Sequence, residues 1–436
     1  MSGTDKSHNL GSLLSPYGLA AVSSFVFLVA WIFPPAVYER LMDERDLMFL
    51  DPRLAFFFFL CVGAFLLGAR LIDSYAPSGP CIDREPKAGM SPAAFILIPL
   101  VAALCLNIMS IVMVLRAGIL LPMLLAGEGE ALKESMGTDG SLVLTGMSLA
   151  GVIWWAAWRT MELRVSGISG RVVRIILSLA VLSVVVSASL KLDRTALMPY
   201  IIGLVVITLV RRSVTKGITI RSVMRPVGIL LFCTAVIFVL FSSLRGTDTS
   251  EQMGETALIY TISSYNRLSA ILSGALRYTH GGKGLYLCGF LAFNNAFNSL
   301  IPIRDVMQWP GFYEVWRSEF SSVVSANLNP DANWCSAFGF IYLDLGWFSP
   351  VFLLMYGLLC GLIWRAARLG SSFGVVLYPW CAFCILFWFG FNLLLWTQFA
   401  VLLIDAIALS AYELFLLSPA VLAPSRFGVP VFSRKI

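Results

Sequence analysis

The chain has 436 residues, of which 58% are hydrophobic and 13% are charged, and its formal net charge is +6. Soluble domains carry about 25% charged residues, so this composition excludes an ordinary soluble protein. Many apolar runs approach or exceed the roughly 18 residues that mark a membrane helix. We therefore expect an all-α, polytopic integral membrane protein surrounded by membrane lipids. Its positive charge is assigned to loops beside the membrane, so no nucleic-acid partner is expected.

The apolar runs predict about ten membrane-spanning helices, within a range of about 9 to 12. Residues 1–16 are polar and the first apolar run is long enough to span, so no separate signal peptide is expected. The last two spans form one apolar stretch, which we divide near Gly390 and Gln398 because one helix of that length would overshoot the bilayer. The predicted spans cover roughly residues 17–38, 54–72, 92–115, 141–158, 174–190, 195–211, 227–243, 347–364, 373–393 and 396–416.

The distribution of Lys and Arg among the loops predicts the orientation in the membrane. The loops on the side of both termini carry 18 Lys and Arg residues, whereas the short loops on the other side carry seven. Because short cytoplasmic loops are enriched in Lys and Arg, both termini are expected in the cytoplasm. The long loop over residues 244–346 and the turn from Lys191 to Arg194 then share the outer side.

The long loop has the composition of a membrane-associated segment within a single membrane domain over residues 1–436. Between Glu255 and Tyr278, apolar residues recur every three or four positions, which predicts an amphipathic helix with Arg267 and Arg277 as its polar partners. The segment WPGFYEVWRSEF, residues 309–320, suits a membrane interface. We expect the loop to lie on the outer leaflet and to roof a cavity. The alternative is a structural cap that only packs the spans.

Two features of this loop leave alternatives open. The apolar segment LYLCGFLAFNNAFNSLIPI, residues 285–303, could be re-entrant or could span the membrane. A full span would place Arg365 and Arg368 on the outer side, which the charge bias disfavours. Cys288 and Cys335 both lie in the loop, and the sequence leaves open whether they pair.

The sequence shows no motif for a metal site, a serine hydrolase or a nucleotide-binding loop, so neither a metal nor a cofactor is expected. It places a set of arginines on the outer side instead. Arginine presents a planar fork that matches phosphate and keeps its charge, which favours an anionic lipid headgroup, above all a pyrophosphate. Solvated helix faces and contacts with lipid headgroups are the alternatives. The set comprises Arg194, Arg245, Arg267, Arg277, Arg304 and Arg317.

Several side chains on the outer side could serve as a general base. The sequence does not choose among them. They are Glu251, Glu255, His280, Glu314, Glu319 and Asp331. Asp405 lies inside the last span, where a carboxyl group must be neutral, paired or facing a cavity.

The turn KLDR, residues 191–194, is flanked by uncharged stretches that are short for a membrane. Each has about 16 residues, or about 24 Å of helix, against a hydrocarbon core of about 30 Å. Either the membrane thins there or the turn is recessed among the other spans. A recessed turn that carries Lys191 and Arg194 is a candidate functional site.

Four segments and the layout of the chain point to a known family. The segments are RAGILLPMLLAGEGEALKES (116–135), LKLDRTALMPYIIGLVV (190–206), FSSLRGTDTSE (241–251) and NWCSAFGFIYLDLGWFSP (333–350). They resemble segments of the bacterial O-antigen polymerases, the Wzy family, in a wider group that includes enterobacterial common antigen polymerase and O-antigen ligase. The whole chain also resembles the family in its layout of many spans with one large outer loop near the C-terminal third.

The resemblance implies a metal-independent glycosyltransferase of the bacterial inner membrane that acts on the periplasmic face. Such an enzyme polymerises undecaprenyl-pyrophosphate-linked oligosaccharide repeat units into O-antigen or a related surface polysaccharide, and a chain-length regulator (a Wzz-like co-polymerase) is a candidate partner. Arg194 and Arg245 match the family's pyrophosphate-handling arginines, and the resemblance implies that they are catalytic. His280 is a further catalytic candidate because it lies in the outer loop and can act as a base, and nothing is carried over to it from the resemblance. The predicted substrate-binding residues are Lys191, Tyr265, Arg267, Arg277, Arg304 and Arg317.

Other functions remain open at this point. O-antigen ligase uses the same chemistry with a lipid A acceptor. A flippase or transporter of the lipid-linked unit would more often show two similar halves and charges across several spans, whereas this chain shows no visible repeat. A passive structural partner of an assembly complex is the remaining alternative.

Overall fold

The computed structural model is an all-α, multi-pass membrane protein. The structure describes residues 10–75, 86, 89–116, 141–190, 194–215, 224, 228, 252–293, 298–299, 301–330 and 332–417. Within these ranges no β-strand occurs, and the only strand-like pairing is an isolated antiparallel bridge between Pro86 and Leu417.

Seven of the described helices are long and apolar enough to cross a membrane, and the number rises to eight if a bent pair near the N-terminus is one span. The span predicted over residues 227–243 lies outside the described residues. Short 3-10 helices cover Leu10–Leu14 and Gly346–Phe348. The α-helices are α1 (Pro16–Trp31), α2 (Pro35–Met42), α3 (Pro52–Tyr75), α4 (Pro92–Arg116), α5 (Ser141–Glu162), α6 (Gly167–Leu190), α7 (Arg194–Thr215), α8 (Gln252–Ser273), α9 (Gly289–Ala292), α10 (Ile303–Val306), α11 (Phe312–Ser325), α12 (Ser336–Leu345), α13 (Ser349–Arg368), α14 (Ser372–Leu386) and α15 (Thr397–Leu416).

The first predicted span, residues 17–38, is not one straight helix. α1 ends at Trp31, and α2 leaves it at an angle of 90°. Pro34 and Pro35 explain the break, because proline lacks the amide hydrogen that a continuing helix needs. The indole Nε1 of Trp31 then donates to the carbonyl of Asp51 at 3.2 Å, which ties the end of α1 to the loop before α3. The first predicted span is therefore broken at these prolines, and α1 and α2 together are long and apolar enough for one bent span.

Glycines bring α3 and α13 into backbone contact. A Cβ atom at Gly357 would lie 2.0 Å from the carbonyl oxygen of Phe65, and one at Gly68 would lie 2.1 Å from that of Leu354. Gly361, one turn after Gly357, faces the same helix. Small residues four positions apart allow this approach in a membrane, where close packing replaces the hydrophobic effect as the driving force.

α14 is shorter than the predicted span over residues 373–393, since it ends at Leu386. Residues 387–396 are irregular, and the gap before α15 confirms the predicted division of the last apolar stretch. Irregular backbone at membrane depth needs partners, because lipid supplies none. The carbonyl of Trp388 accepts a hydrogen bond from the backbone amide of Ala337 at 2.8 Å.

The long helices alternate in direction, which gives the bundle two ends. α5 and α15 run parallel, because Ser148 contacts Asp405 and, farther along both helices, Arg159 contacts Glu413. α7 runs the same way beside α5. We call the end at which α5, α7 and α15 begin the loop end and the opposite end the basic end. α7 begins at Arg194, so this residue lies at the loop end.

The described part of the long loop packs as a layer on the loop end. This loop layer comprises residues 252–293, 301–330 and 332–335, and its helix α8 contacts α1, α2, α3 and α12. The amide of Phe290 donates to the carbonyl of Leu395 at 3.0 Å, which joins the layer to the start of α15. The described residues of the 285–303 segment form no span. The layer's apolar cluster, which extends into α12, is Ala270, Ile271, Leu276, Tyr278, Leu285, Tyr286, Ala292, Val315, Val323, Leu328, Cys335 and Phe340.

The helices on both sides of the KLDR turn are longer than predicted. α6 has 24 residues and α7 has 22, which correspond to about 36 Å and about 33 Å of helix. Both exceed a hydrocarbon core of about 30 Å. The added turns carry arginines, among them Arg171 and Arg212, at the basic end. The full lengths of α6 and α7 therefore give no reason to expect a recessed turn. Only their uncharged stretches are shorter than the hydrocarbon core.

Candidate functional site

A buried ion pair fastens the loop layer to the bundle. Arg267 of α8 and Glu44, in the loop after α2, are both fully buried at their side chains, and two guanidinium nitrogens of Arg267 donate to the two carboxylate oxygens of Glu44. Burial alone raises the pKa of Glu44, but the hydrogen bonds and the charge of Arg267 outweigh burial and lower this pKa below its usual value.

The remaining donors and acceptors of this pair are also satisfied. The Nε of Arg267 donates to the carbonyl of Ala332 at 2.8 Å, and the Nη2 donates to the carbonyl of Asn329 at 2.9 Å. Glu44 accepts further hydrogen bonds from the hydroxyl of Tyr38 and from the side-chain amide of Asn266. A buried ion pair persists when its geometry is bidentate and its other groups are hydrogen-bonded, as they are here.

Two residues predicted to bind substrate therefore lie in the packed interior of the loop end. The interpretation of Arg267 as a residue on the exposed polar face of α8 is wrong, because its side chain has no exposed surface. Tyr265 is buried beside it, with its ring at 5.2 Å and edge-on to that of Phe27 in α1. The apolar residues from Ile262 to Leu276 are buried, but the polar residues between them, such as Ser263 and Asn266, are buried as well. Every residue from 262 to 272 is buried, so the prediction of an exposed polar face on this helix is wrong there.

Arg277 lines an open cavity of about 480 Å³ in the loop layer. The cavity lies between the segment after α8 and one face of α11. The Arg277 guanidinium forms no hydrogen bond or ion pair with any residue in the described ranges. The lining residues are Gly274, Ala275, Arg277, Thr279, Ser318, Ser321, Ser322, Ser325 and Ala326.

The opposite face of α11 carries a buried acid. Glu319 is 3% exposed, and its Oε2 accepts a hydrogen bond from the side-chain amide of Asn333 at 3.0 Å. The hydroxyl of Tyr278 donates to the carbonyl of the same Asn333. Burial raises the pKa of Glu319 to about 8, and no Lys or Arg of the described residues forms an ion pair with it. Of the two candidate acids whose side chains the structure describes, Glu314 and Glu319, it is Glu319 that lies in an unusual electrostatic environment, although it faces away from the cavity.

His280 lies in the turn that follows the cavity-lining segment. Its Nδ1 is buried and has no hydrogen-bond partner among the residues that the structure describes. Burial lowers the pKa of His280, the positive charge of Lys283 lowers it further, and Glu314 opposes both. The turn is held by Asp344, whose carboxylate accepts the amide hydrogens of three residues at 2.9 to 3.1 Å, namely Gly284, Tyr286 and Leu287.

The other predicted site residues are distributed over the loop end or fall outside the described residues. Arg304 in α10 is partly buried, and Arg317 in α11 is exposed. Arg194 is the first residue of α7, and its side chain is not described. Lys191, Arg245, Glu251 and Asp331 lie outside the described ranges. The thiols of Cys288 and Cys335 are free.

A polar network that the sequence did not reveal lies near the loop end between α4, α5 and α6. Asn107 has no exposed surface, and its side chain links Ser183 at 2.8 Å, Ser187 at 3.0 Å and Thr145 at 3.2 Å. α6 ends at Leu190, so the network lies within two turns of the KLDR segment. Single small polar residues in apolar runs carry little signal by themselves, and only the packing of three helices joins them.

Comparison with known proteins identifies no relative: no protein-family model, no curated protein and no solved structure matches this chain.

Proposed function

We propose that this chain is a glycosyltransferase of the bacterial inner membrane that polymerises undecaprenyl-pyrophosphate-linked oligosaccharide repeat units. The reaction moves a growing glycan from its pyrophosphate carrier to the sugar end of a new lipid-linked unit. The leaving group is a pyrophosphate already, so the reaction needs no nucleotide sugar. In this proposal the loop end faces the periplasm and both chain termini are cytoplasmic, in agreement with the Lys and Arg bias of the loops.

One observation carries the proposal: a single end of the bundle gathers the start of α7 at Arg194 and a folded loop layer with a polar cavity at Arg277. A lipid-linked pyrophosphate is held at the membrane, so a cation that stabilises its departure is expected near the membrane surface, as at the start of a spanning helix. The glycan extends away from the membrane and needs a polar surface above it. The loop end offers both, and the resemblance of the Arg194 and Arg245 segments to the polymerase family adds independent support.

The proposed roles follow from this arrangement. Arg194 and Arg245 stabilise the charge that develops on the leaving pyrophosphate, which arginine can do without a metal ion. His280, whose pKa is lowered by burial, is neutral near pH 7 and can accept a proton from an acceptor hydroxyl. A polysaccharide chain-length regulator is the proposed protein partner.

Deletion of the gene, followed by gel analysis of the surface glycan, tests the proposal. Deletion of a polymerase leaves a single capped repeat in place of the ladder of bands that polymers of different length form on the gel. The wild-type gene restores this ladder. Complete loss of surface glycan with polymer retained on its carrier would indicate a ligase instead. Absence of exported units would indicate a flippase.

A further inference from the structure

The cavity beside Arg277 has a polar lining in which the hydrogen-bond directions are determined. Four serines of α11 line it, and each hydroxyl lies within hydrogen-bond distance of a backbone carbonyl of the same helix. The pairs are Ser318 with Val315 at 2.7 Å, Ser321 with Arg317 at 3.1 Å, Ser322 with Ser318 at 2.8 Å and Ser325 with Ser321 at 2.8 Å. A carbonyl oxygen only accepts, so in each of these pairs the serine hydroxyl is the donor.

While these hydrogen bonds persist, the four serine oxygens offer lone pairs to the cavity. The donors at its wall come from Arg277, whose guanidinium has five N–H groups and no partner among the described residues, and from the hydroxyl of Thr279. The cavity thus combines one strong donor group with a row of acceptors. Its volume of about 480 Å³ falls within the range of about 300–1,000 Å³ that is usual for small-molecule sites.

This combination discriminates between the two halves of a lipid-linked glycan. A pyrophosphate carries only acceptor oxygens, so a serine could donate to it only by breaking its own hydrogen bond to the helix. A sugar hydroxyl both donates and accepts, so adjacent hydroxyls of one sugar can donate to Ser321 or Ser322 and accept from Arg277. We propose that the Arg277 cavity is a subsite for the neutral glycan portion of the substrate, separate from the place at which the pyrophosphate leaves. This inference rests on the proposed function and names the place at which the sugars of the substrate bind.

Two variants test the subsite. Arg277→Ala removes the donor group. The triple variant Ser321→Ala, Ser322→Ala, Ser325→Ala removes three acceptors and retains the fold, because alanine favours the helix more than serine does. The matched controls are Arg40→Ala, an exposed arginine of α2, and Ser273→Ala, whose hydroxyl donates to the carbonyl of Ala270 just outside the cavity.

The binding measurement uses purified full-length protein in lipid nanodiscs and oligosaccharides cleaved from the surface polysaccharide of the source bacterium. We expect saturable binding to the wild type and to both controls. Loss of a hydrogen bond to a charged group predicts binding that is about tenfold weaker in Arg277→Ala, with a similar loss in the triple variant. Millimolar inorganic pyrophosphate should not displace the oligosaccharide. Absence of saturable binding, unchanged binding in both variants, or displacement by pyrophosphate overturns the subsite.

The surface-glycan gel separates this inference from the proposed function. Both cavity variants, expressed in the deletion strain, should yield shorter ladders than the wild type. A wild-type ladder and wild-type binding in both variants would remove the subsite and leave the polymerase assignment intact. Failure of the wild-type gene itself to restore a ladder would remove the polymerase assignment.

Discussion

Glu44 and Arg267 are 223 residues apart in the sequence and form a bidentate ion pair in the interior of the protein. Glu44 follows the bent first helix pair, whereas Arg267 belongs to the loop layer. The pair therefore joins the segment after α2 to the loop layer and helps to hold the layer on the bundle.

Arg267→Met should destabilise the protein by about 3–5 kcal/mol, because it leaves Glu44 buried without its counter-charge. The change should appear as a lower thermal unfolding temperature in detergent. The double variant Glu44→Leu, Arg267→Met should recover part of the loss, since it leaves no uncompensated charge. An unfolding temperature equal to that of the wild type in Arg267→Met would show that the pair does not hold the layer.

The buried carboxyl of Glu319 should make the stability of the loop layer depend on pH. Its pKa rises from an ordinary 4.5 to about 8 on folding, so the folded state binds the proton more tightly than the unfolded state. The contribution of the protonated Glu319 to the free energy of unfolding is fully present below about pH 4.5 and is lost as the pH rises to about 8. Hydrogen exchange of the α11 amides should accelerate across this window.

Glu319→Gln keeps the shape of the side chain without a titrating proton and should flatten this pH dependence. Glu314→Gln, an exposed substitution on the same helix, should retain it. A wild-type protein whose α11 exchange follows only the intrinsic pH dependence of amides would contradict the assignment.

Gly357→Leu should prevent the close approach of α3 and α13. Its Cβ atom would lie 2.0 Å from the backbone carbonyl of Phe65, which cannot move aside as a side chain can. The expected cost is about 1–3 kcal/mol or more, measured as loss of folded protein in a thermal melt. Gly63→Leu is the control on α3, because a Cβ atom there meets nothing within 4 Å. Equal unfolding temperatures for the two variants would be inconsistent with this packing.

Arg194→Ala should abolish the glycan ladder while the protein remains in the membrane at its normal level. The guanidinium is expected to stabilise the leaving pyrophosphate, and removal of one such group costs about 10²–10³ in rate in comparable sites. Arg40→Ala, also at the loop end, should leave the ladder intact. Long ladders that persist in Arg194→Ala would remove Arg194 from the catalytic mechanism.

The membrane class and most spans were predictable because each depends on local apolar runs of sufficient length. The split before α15 was predictable for the same reason, since a single helix of that length would not fit the bilayer. The break after Trp31 had a local signal in Pro34 and Pro35, but the apolar run across them suggested one span. The early end of α14 had no local signal in the sequence, because the residues of the irregular segment that follows are as apolar as those of the helix.

The burial of Arg267 could not be predicted from its own segment. Helical periodicity placed Tyr265 and Leu268 on a buried face of α8 and the charged Arg267 on an exposed one, whereas every residue from 262 to 272 is buried. Its partner Glu44 lies in a loop with no sequence relation to α8, and a buried arginine is explained only by that partner. The same limit applies to Asn107, whose network depends on three helices.

Reconstitution of the reaction tests the polymerase assignment most directly. The purified protein, in nanodiscs with a metal chelator, is given undecaprenyl-pyrophosphate-linked repeat units of its own bacterium. The account predicts a ladder of longer lipid-linked glycans, with release of undecaprenyl pyrophosphate in step with each added unit, and no ladder with Arg194→Ala. Repeat units that remain unextended with the wild-type protein, while the same units are translocated across the bilayer of sealed vesicles, would contradict it.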